Sequence, residues 1–404
     1  MLFRSKIRWF GLALLCAASF AQDPPLDLRT ALQQAQASNL ELRAARQNRA
    51  VALAGITIAK AIPNPTVSFN AARDTPHESL VFDQPLEIGG KRAKRTAVAR
   101  EEQAATEIDI TVLERNVRRR TREAFFRSVA AGQQAEQSKA SFDLTTRTKD
   151  IVQQRYDAGD VAQLDVIQAD VEVARAEADY EMAQQARKSA DVGLAALLNR
   201  KFDVALSLQG RLDEIPAVPT MEAVIDTALH SNPDVQKFMQ QYKVEQSRLD
   251  LARAMRIPNL DVQAGVDFNS PPDFNSGGRG QIAVGVPIFY RGQGEVAQSN
   301  ARLELLRLTL QSENVMVSSE AAAAYFDFIA KANQAQRYAQ SIVPQTVKLE
   351  QMAQESYAAG KSNLLTLIDA QRKLNDVRKA YIDSLFAAQS SFAALEEVVG
   401  APLD

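Results

Sequence analysis

The chain has 404 residues, of which 47 are basic and 49 acidic, for a net charge of −2, and it is 46% hydrophobic but only 6% aromatic. One Cys and two His (His77, His230) exclude a Cys-rich or His-rich metal centre, and with 17 Gly and 15 Pro there are too few breakers for a chain of many short strands. The apolar fraction comes largely from Ala, which buries little area per residue, so long Ala-rich helices are expected rather than several compact enzyme domains.

Residues 1–21 read as a secretory signal peptide. Arg4, Lys6 and Arg8 precede an apolar stretch from Trp9 to Ala18, and Ser19-Phe20-Ala21 places small residues at −3 and −1. That run of about ten apolar residues is short of the ~20 needed to span a membrane. Cys16 offers a lipidation reading instead, against which stands Leu15, where processing prefers a small residue. No later stretch reaches about 18 uninterrupted apolar residues, so a soluble periplasmic protein and an outer-membrane β-barrel both remain open.

An amphipathic helix is expected from about Leu28 to Ala61, stopped by Pro63. Two alternating segments follow, at about 65–73 and 78–88, around a tip at Asp74-Thr75-Pro76. Gly89-Gly90 then opens about sixty residues, Lys91 to Tyr156, that contain no Pro. At 1.5 Å per residue such a helix extends ~90 Å, beyond the reach of a compact domain. A turn at Gly159 leads into a returning helix with a heptad-like seam through Val173, Ala176, Tyr180, Ala183, Ala190, Leu194 and Leu197. These elements make up a first repeat at 22–199, and 200–219 form a linker.

Residues 220–404 repeat the plan. A helix is expected from Met221 to Arg256, stopped by Pro258. Strands at about 260–269 and 279–290 flank a breaker-rich tip from Ser270 to Gly278. Gly292 and Gly294 precede a second long helix interrupted only by Pro344, then a turn at Gly360 and a last helix seamed by Leu374, Val377, Tyr381, Leu385, Ala388, Phe392, Leu395 and Val399. At an offset of 201, Tyr156, Gly159, Ile167, Ala169, Tyr180 and Leu194 match Tyr357, Gly360, Ile368, Ala370, Tyr381 and Leu395. Ser38-Asn39 resembles Ser231-Asn232, and Ile62-Pro63-Asn64 resembles Ile257-Pro258-Asn259. The strands are long enough to cross a bilayer at a tilt, but four strands cannot close a membrane barrel, so a membrane reading requires an oligomer.

The duplicated helix–hairpin–long helix–helix unit resembles the TolC family of outer-membrane efflux ducts over nearly the whole chain after the signal. The most specific signal is the paired Tyr-x-x-Gly turn with a Leu-rich helix start, Tyr156/Gly159/Leu164 and Tyr357/Gly360/Leu365. Gln84-Pro-Leu-Glu-Ile-Gly-Gly-Lys-Arg92, preceded by Ile62-Pro-Asn-Pro65, is similar to the CzcC/CusC-like heavy-metal branch of that family. The resemblance implies a mainly α fold with a small β part and a homotrimer. The trimer would form a twelve-stranded outer-membrane barrel continued by a periplasmic α-helical barrel. It also implies docking onto a periplasmic adaptor (membrane fusion protein) and an inner-membrane RND pump.

For such a duct the chemistry is lining and gating. The resemblance implies a periplasmic gate at Asp165 and Asp369, carboxylates that three-fold symmetry would turn into rings favouring cations. An Asp in a first helical turn is equally a dipole-favoured solvated residue. Thr366 stands where relatives often have a further Asp. Tyr156 and Tyr357 are gate hydrogen-bond partners or pack the turns. Gly159, Asp160, Val161, Gly360, Lys361 and Ser362 are the expected adaptor-contacting tip, and Gly89, Gly90, Gly292 and Gly294 the barrel-to-helix turn. Gly292-x-Gly294-x-x-Ala297 imitates a dinucleotide fingerprint, but its helix is too long for a βαβ unit. Arg115, Arg118, Arg119, Arg120 and Arg122 suggest an anionic ligand or a solvated helix face; the export signal argues against nucleic acid. No catalytic constellation or cofactor motif is found, so a channel is expected and not an enzyme. The competing class is a soluble periplasmic helical-hairpin adaptor. Within the duct class, organic-drug efflux or type I protein secretion compete with metal export.

Overall fold

A computed structural model describes residues 25–202, 206–270, 272 and 274–403; the expected signal peptide lies outside them. The chain is mostly helical. In the first half α1 (Leu28–Ser38) and α2 (Leu40–Lys60) lead to β1 (Thr66–Ala71) and β2 (Glu78–Leu86), then to α3 (Lys91–Asp157) and α4 (Gln163–Leu197). In the second, α5 (Met221–Ser231) and α6 (Pro233–Met255) lead to β3 (Leu260–Ser270) and β4 (Phe274–Val284). There follow α7 (Gln293–Arg337), a π turn (Tyr338–Ile342), α8 (Val343–Ala358) and α9 (Leu364–Val399).

Three expectations are corrected. First, the single helix expected from Leu28 to Ala61 is two, because Asn39 leaves helical geometry at φ −59°, ψ 126°. Its side-chain oxygen accepts from the N–H groups of Glu41 (3.0 Å) and Leu42 (3.1 Å), capping α2, while its amide donates to the Leu197 carbonyl at 3.1 Å. Asn232 splits the second-half helix with the same device, accepting from Asp234 and Val235 and donating to the Val398 carbonyl at 2.8 Å. Second, the strand expected at 279–290 is displaced toward the tip, to 274–284, so Ser276, Gly277 and Gly278 pair with Phe268, Asp267 and Val266. Pro287, with no N–H, cannot extend the ladder, and Val286, Ile288, Phe289 and Tyr290 lie exposed beyond it. The first hairpin is likewise shorter than expected, at 66–71 and 78–86. Third, the second long helix widens into the π turn just before Pro344, whose ring would collide with the carbonyl four residues back.

The four strands form one antiparallel sheet in the order β1-β2-β3-β4. Its register sorts the side chains by polarity. One face carries Val67, Phe69, Leu80, Phe82, Val262, Ala264, Val266, Ile282 and Val284, and the other Thr66, Ser68, Asn70, Ser79, Asp83, Asp261, Gln263, Asp267, Arg279 and Gln281. The apolar face is exposed, with Phe69 at 63%; on the other face Ser79 and Val81 of β2 are buried, while Thr66, Ser68, Asn70, Arg279 and Gln281 are exposed. A continuous exposed face of aromatic and aliphatic side chains departs from the pattern of a sheet that folds in water.

Two buried clusters hold the waist. One joins α1, α3, α4, α9 and the linker through Leu26, Ala35, Val117, Phe125, Leu194, Leu212 and Leu385; the other joins α5, α6, α7 and α9 through Val224, Val235, Val317, Phe328 and Phe392. The arginine run lies here and is largely ion-paired within the fold, with Arg122 buried and Arg118 and Arg120 partly solvated. Arg122, 2% exposed, pairs with Glu396 at 3.0 Å and stacks on Phe392. Arg119 pairs with Glu397 and Glu123, and Arg120 with Glu41. Among the described residues no helix is long and apolar enough to cross a membrane.

Candidate functional site

The two Gly turns close the far end of the helices. At Gly159 (φ +82°) the N–H of Asp160 bonds the Arg155 carbonyl at 2.8 Å and that of Gly159 bonds Tyr156 at 2.9 Å. At Gly360 (φ +68°) Lys361 bonds Ser356 at 2.8 Å and Gly360 bonds Tyr357 at 3.0 Å. These are paired Schellman motifs, in which the left-handed residue strongly favours glycine. Beneath them Val152 of α3, Ala169 of α4, Ala353 and Tyr357 of α8, and Leu364, Leu367 and Ile368 of α9 form a third buried cluster.

Polar links tie α9 and α8 to the first half. Gln371 donates to the Thr148 hydroxyl at 3.2 Å, and Arg372 makes a two-pronged pair with Glu172 of α4, Nε to Oε2 at 2.9 Å. That hydrogen bond raises the pKa of Arg372, with burial opposing it and Asp369 adding to it. Arg155 donates to the Tyr357 carbonyl at 3.3 Å and lies over its ring, 4.9 Å from the centroid. Within the first half Lys149 pairs with Asp170 at 2.6 Å, which raises the lysine pKa.

The matching residues of the two halves have different surroundings. Tyr357 is buried and its hydroxyl has no hydrogen-bond partner, and burial pushes its pKa up. Tyr156 is exposed. Asp165 is half-buried in the first turn of α4, where it adds to the rise at Tyr357, whereas Asp369 is exposed on α9. Thr366 is committed to the helix start, its N–H and hydroxyl bonding the Asn363 cap at 3.0 and 2.8 Å. Gly159, Asp160, Gly360 and Lys361 are exposed, and Val161 and Ser362 half-buried. Beside them stand Leu164 and Leu365, exposed apolar residues at matching positions. Their pairing was visible in the sequence, but their exposure was not. The Arg372–Glu172 pair left no sequence signal, since its members belong to different repeats.

At the opposite end Gly90 and Gly292, at φ +75° and +69°, immediately precede α3 and α7. Gly89 also has positive φ, and a Cβ at Gly294 would meet the Tyr290 hydroxyl at 2.4 Å.

The family model described as "Outer membrane efflux protein" matches residues 31–200 and again 224–401. The chain is 27% identical to the cobalt-zinc-cadmium resistance protein CzcC of Cupriavidus metallidurans over 386 residues, covering 93% of this chain and 90% of the relative. Among solved structures it superimposes on CusC with a TM-score of 0.78 at 17% identity, covering 95% and 96% of the two chains. It also superimposes on the open state of the MtrE outer membrane channel of Neisseria gonorrhoeae, with a TM-score of 0.76 at 17% identity, covering 93% and 89%.

Proposed function

Because the chain belongs to the outer membrane efflux protein family, we propose that three copies close into a duct that carries heavy-metal cations out of the cell. The protein is an outer-membrane efflux channel with a periplasmic helical part. The metal cargo is supported by the similarity to the cobalt-zinc-cadmium resistance protein.

Closure is supported above all by the chain's two free flanks. In the sheet β1 and β4 each have one unpaired edge. Near the sheet the helices pack in the order α2, α3, α6, α7, and toward the tip in the order α4, α3, α9, α8. One flank is therefore β1, α2 and α4, the other β4, α7 and α8. Both carry exposed apolar residues, Val51 and Ile58 on α2 and Val171 on α4, against Leu308 and Val315 on α7 and Met352 on α8. Unlike flanks that meet head to tail generate a ring. Three copies would supply twelve strands whose polar faces line the lumen and whose apolar faces meet lipid. Exposure of that apolar face also counts against a soluble adaptor.

The tip is the gate in this reading. Asp165 and Asp369 form carboxylate rings, while Arg372–Glu172 and Gln371–Thr148 hold α9 against α3 and α4 in the narrow state. The turns, with Asp160 and Lys361 exposed and Val161 and Ser362 half-buried beside the exposed Leu164 and Leu365, meet a periplasmic adaptor that links the duct to an RND pump. Native mass spectrometry of protein extracted from outer membranes should report three copies; a monomer would sink the ring. A deletion strain should be more sensitive to cobalt, zinc and cadmium, and unchanged sensitivity would overturn the metal cargo.

A further inference from the structure

We propose that the cavity between α1, α3 and the end of α9 binds a small amphipathic carboxylate, with Arg115 as its counter-charge. Five arginines fall between positions 115 and 122. Arg118, Arg119, Arg120 and Arg122 each pair with a carboxylate. Among the described residues Arg115 pairs with none: its guanidinium donates to the Ser231 carbonyl at 2.8 Å, which leaves most of its N–H groups unused. It is half-buried and lines the cavity. Burial pulls its pKa below the usual guanidinium value, with no carboxylate opposing the shift. A partly desolvated cation with accessible donors calls for an anion from outside the fold.

The cavity has a volume of about 680 Å³, within the ~300–1,000 Å³ of small-molecule sites. Leu28 and Leu32 of α1, Val117 of α3, Ala393 of α9 and Pro402 beyond it give it apolar walls. Its three carboxylates are already matched, Glu114 by Arg46, Glu396 by Arg122 and Glu397 by Arg119. The surplus charge is therefore positive, and Arg29 adds a second cation at the exposed rim. A guanidinium presents a planar fork that a carboxylate fills with two parallel hydrogen bonds, while the walls take up the hydrocarbon part. Gly400 leaves room for that fork: it stands at φ +75°, and a Cβ there would collide with the guanidinium. Apart from the buried Leu42, the lining belongs to neither flank of the ring proposed above, and Gln33 and Gln36 are exposed, so closure through those flanks leaves the cavity open.

Octanoate is the probe, titrated by calorimetry into the protein in phosphatidylcholine nanodiscs, with empty discs subtracted. One octanoate per chain is expected, with affinity reduced at least about tenfold in Arg115→Met, as for one lost charge-assisted pair. Acetate lacks the chain and octyltrimethylammonium lacks the anion, so each should bind at least about tenfold more weakly. Absence of octanoate binding, binding unchanged in Arg115→Met, or equal affinity for either control would overturn the proposal. Should Arg115→Met not fold, Leu32→Glu decides. Leu32 is half-buried on the cavity wall and outside the buried clusters, so a carboxylate there should abolish binding and leave the fold intact. Binding retained in that variant would equally overturn the site.

Discussion

Tyr156 and Tyr357 occupy matching positions and do different things. Tyr357 is buried under the turn, with Arg155 over its ring and an unpartnered hydroxyl. Removing that hydroxyl removes a desolvated polar group and leaves the packing, so Tyr357→Phe should be neutral or stabilising by up to about 1 kcal/mol in thermal unfolding. A clear loss would point to a hydrogen bond that the geometry does not contain. The same residue carries a pH signature. Its folded pKa is raised above the usual 10.0 by burial, so the neutral form is favoured in the fold. That stability is present below about pH 10 and lost as pH rises through the folded value; Tyr357→Phe should lose less stability than the parent between pH 9 and about 11. In the gate proposed above, Arg372 is the latch. Arg372→Met releases α9 from Glu172 while keeping its bulk, and should raise single-channel conductance in planar bilayers. Unchanged conductance there would count against the pair as a latch. Asp369→Ala should weaken cation preference in the same assay, because the exposed carboxylate acts through its field.

At the scale of elements, the two asparagines are the joints of the waist. Each caps the helix that leaves it and binds a carbonyl in the last turn of a returning helix, Asn39 to Leu197 and Asn232 to Val398. Asn39→Ala loses both interactions and should cost about 1–2 kcal/mol, read by chemical unfolding; a change within a few tenths would show that the cap is dispensable. These joints explain what was legible in the sequence. Periodicity gave the long helices and Gly159 and Gly360 gave the turns, because both are local signals repeated over many residues or at matching places. A one-residue break between two amphipathic helices hardly disturbs the period, so Asn39 was missed, although Asn232-Pro233 is a recognisable cap followed by proline at the first helical position. The strand displacement was missed for a different reason. Gly277 and Gly278 read as turn residues, but their place is set by pairing with Asp267 and Val266, a cross-strand effect invisible in one segment. The Arg372–Glu172 pair joins residues distant in the chain, and only the fold brings them together.

At the scale of the whole molecule the question is whether the two flanks meet each other or themselves. In a ring every β1/α2/α4 flank meets a β4/α7/α8 flank; in a two-fold dimer each flank meets its own kind. Charge placed on one flank distinguishes the two cases without unfolding the chain, because the altered residues are exposed in the monomer. Val51 on α2 and Leu308 on α7 are such residues, and burying a carboxylate there without a partner is strongly unfavourable. Val51→Glu alone should be monomeric, and so should Leu308→Glu alone, since each chain keeps only one competent flank and head-to-tail pairing needs two unlike ones. Mixed, they should form a one-to-one heterodimer, the intact α7 flank of the first chain meeting the intact α2 flank of the second. That dimer stops there, because its outer flanks are the two charged ones. Native mass spectrometry of the mixture decides the matter. A heterodimer supports heterologous closure, and with it a lumen lined by the polar face of the sheet. Homodimers of either variant alone would mean that like flanks pair, and such an assembly would leave the sheet edges and the apolar face without the neighbours that a membrane barrel requires.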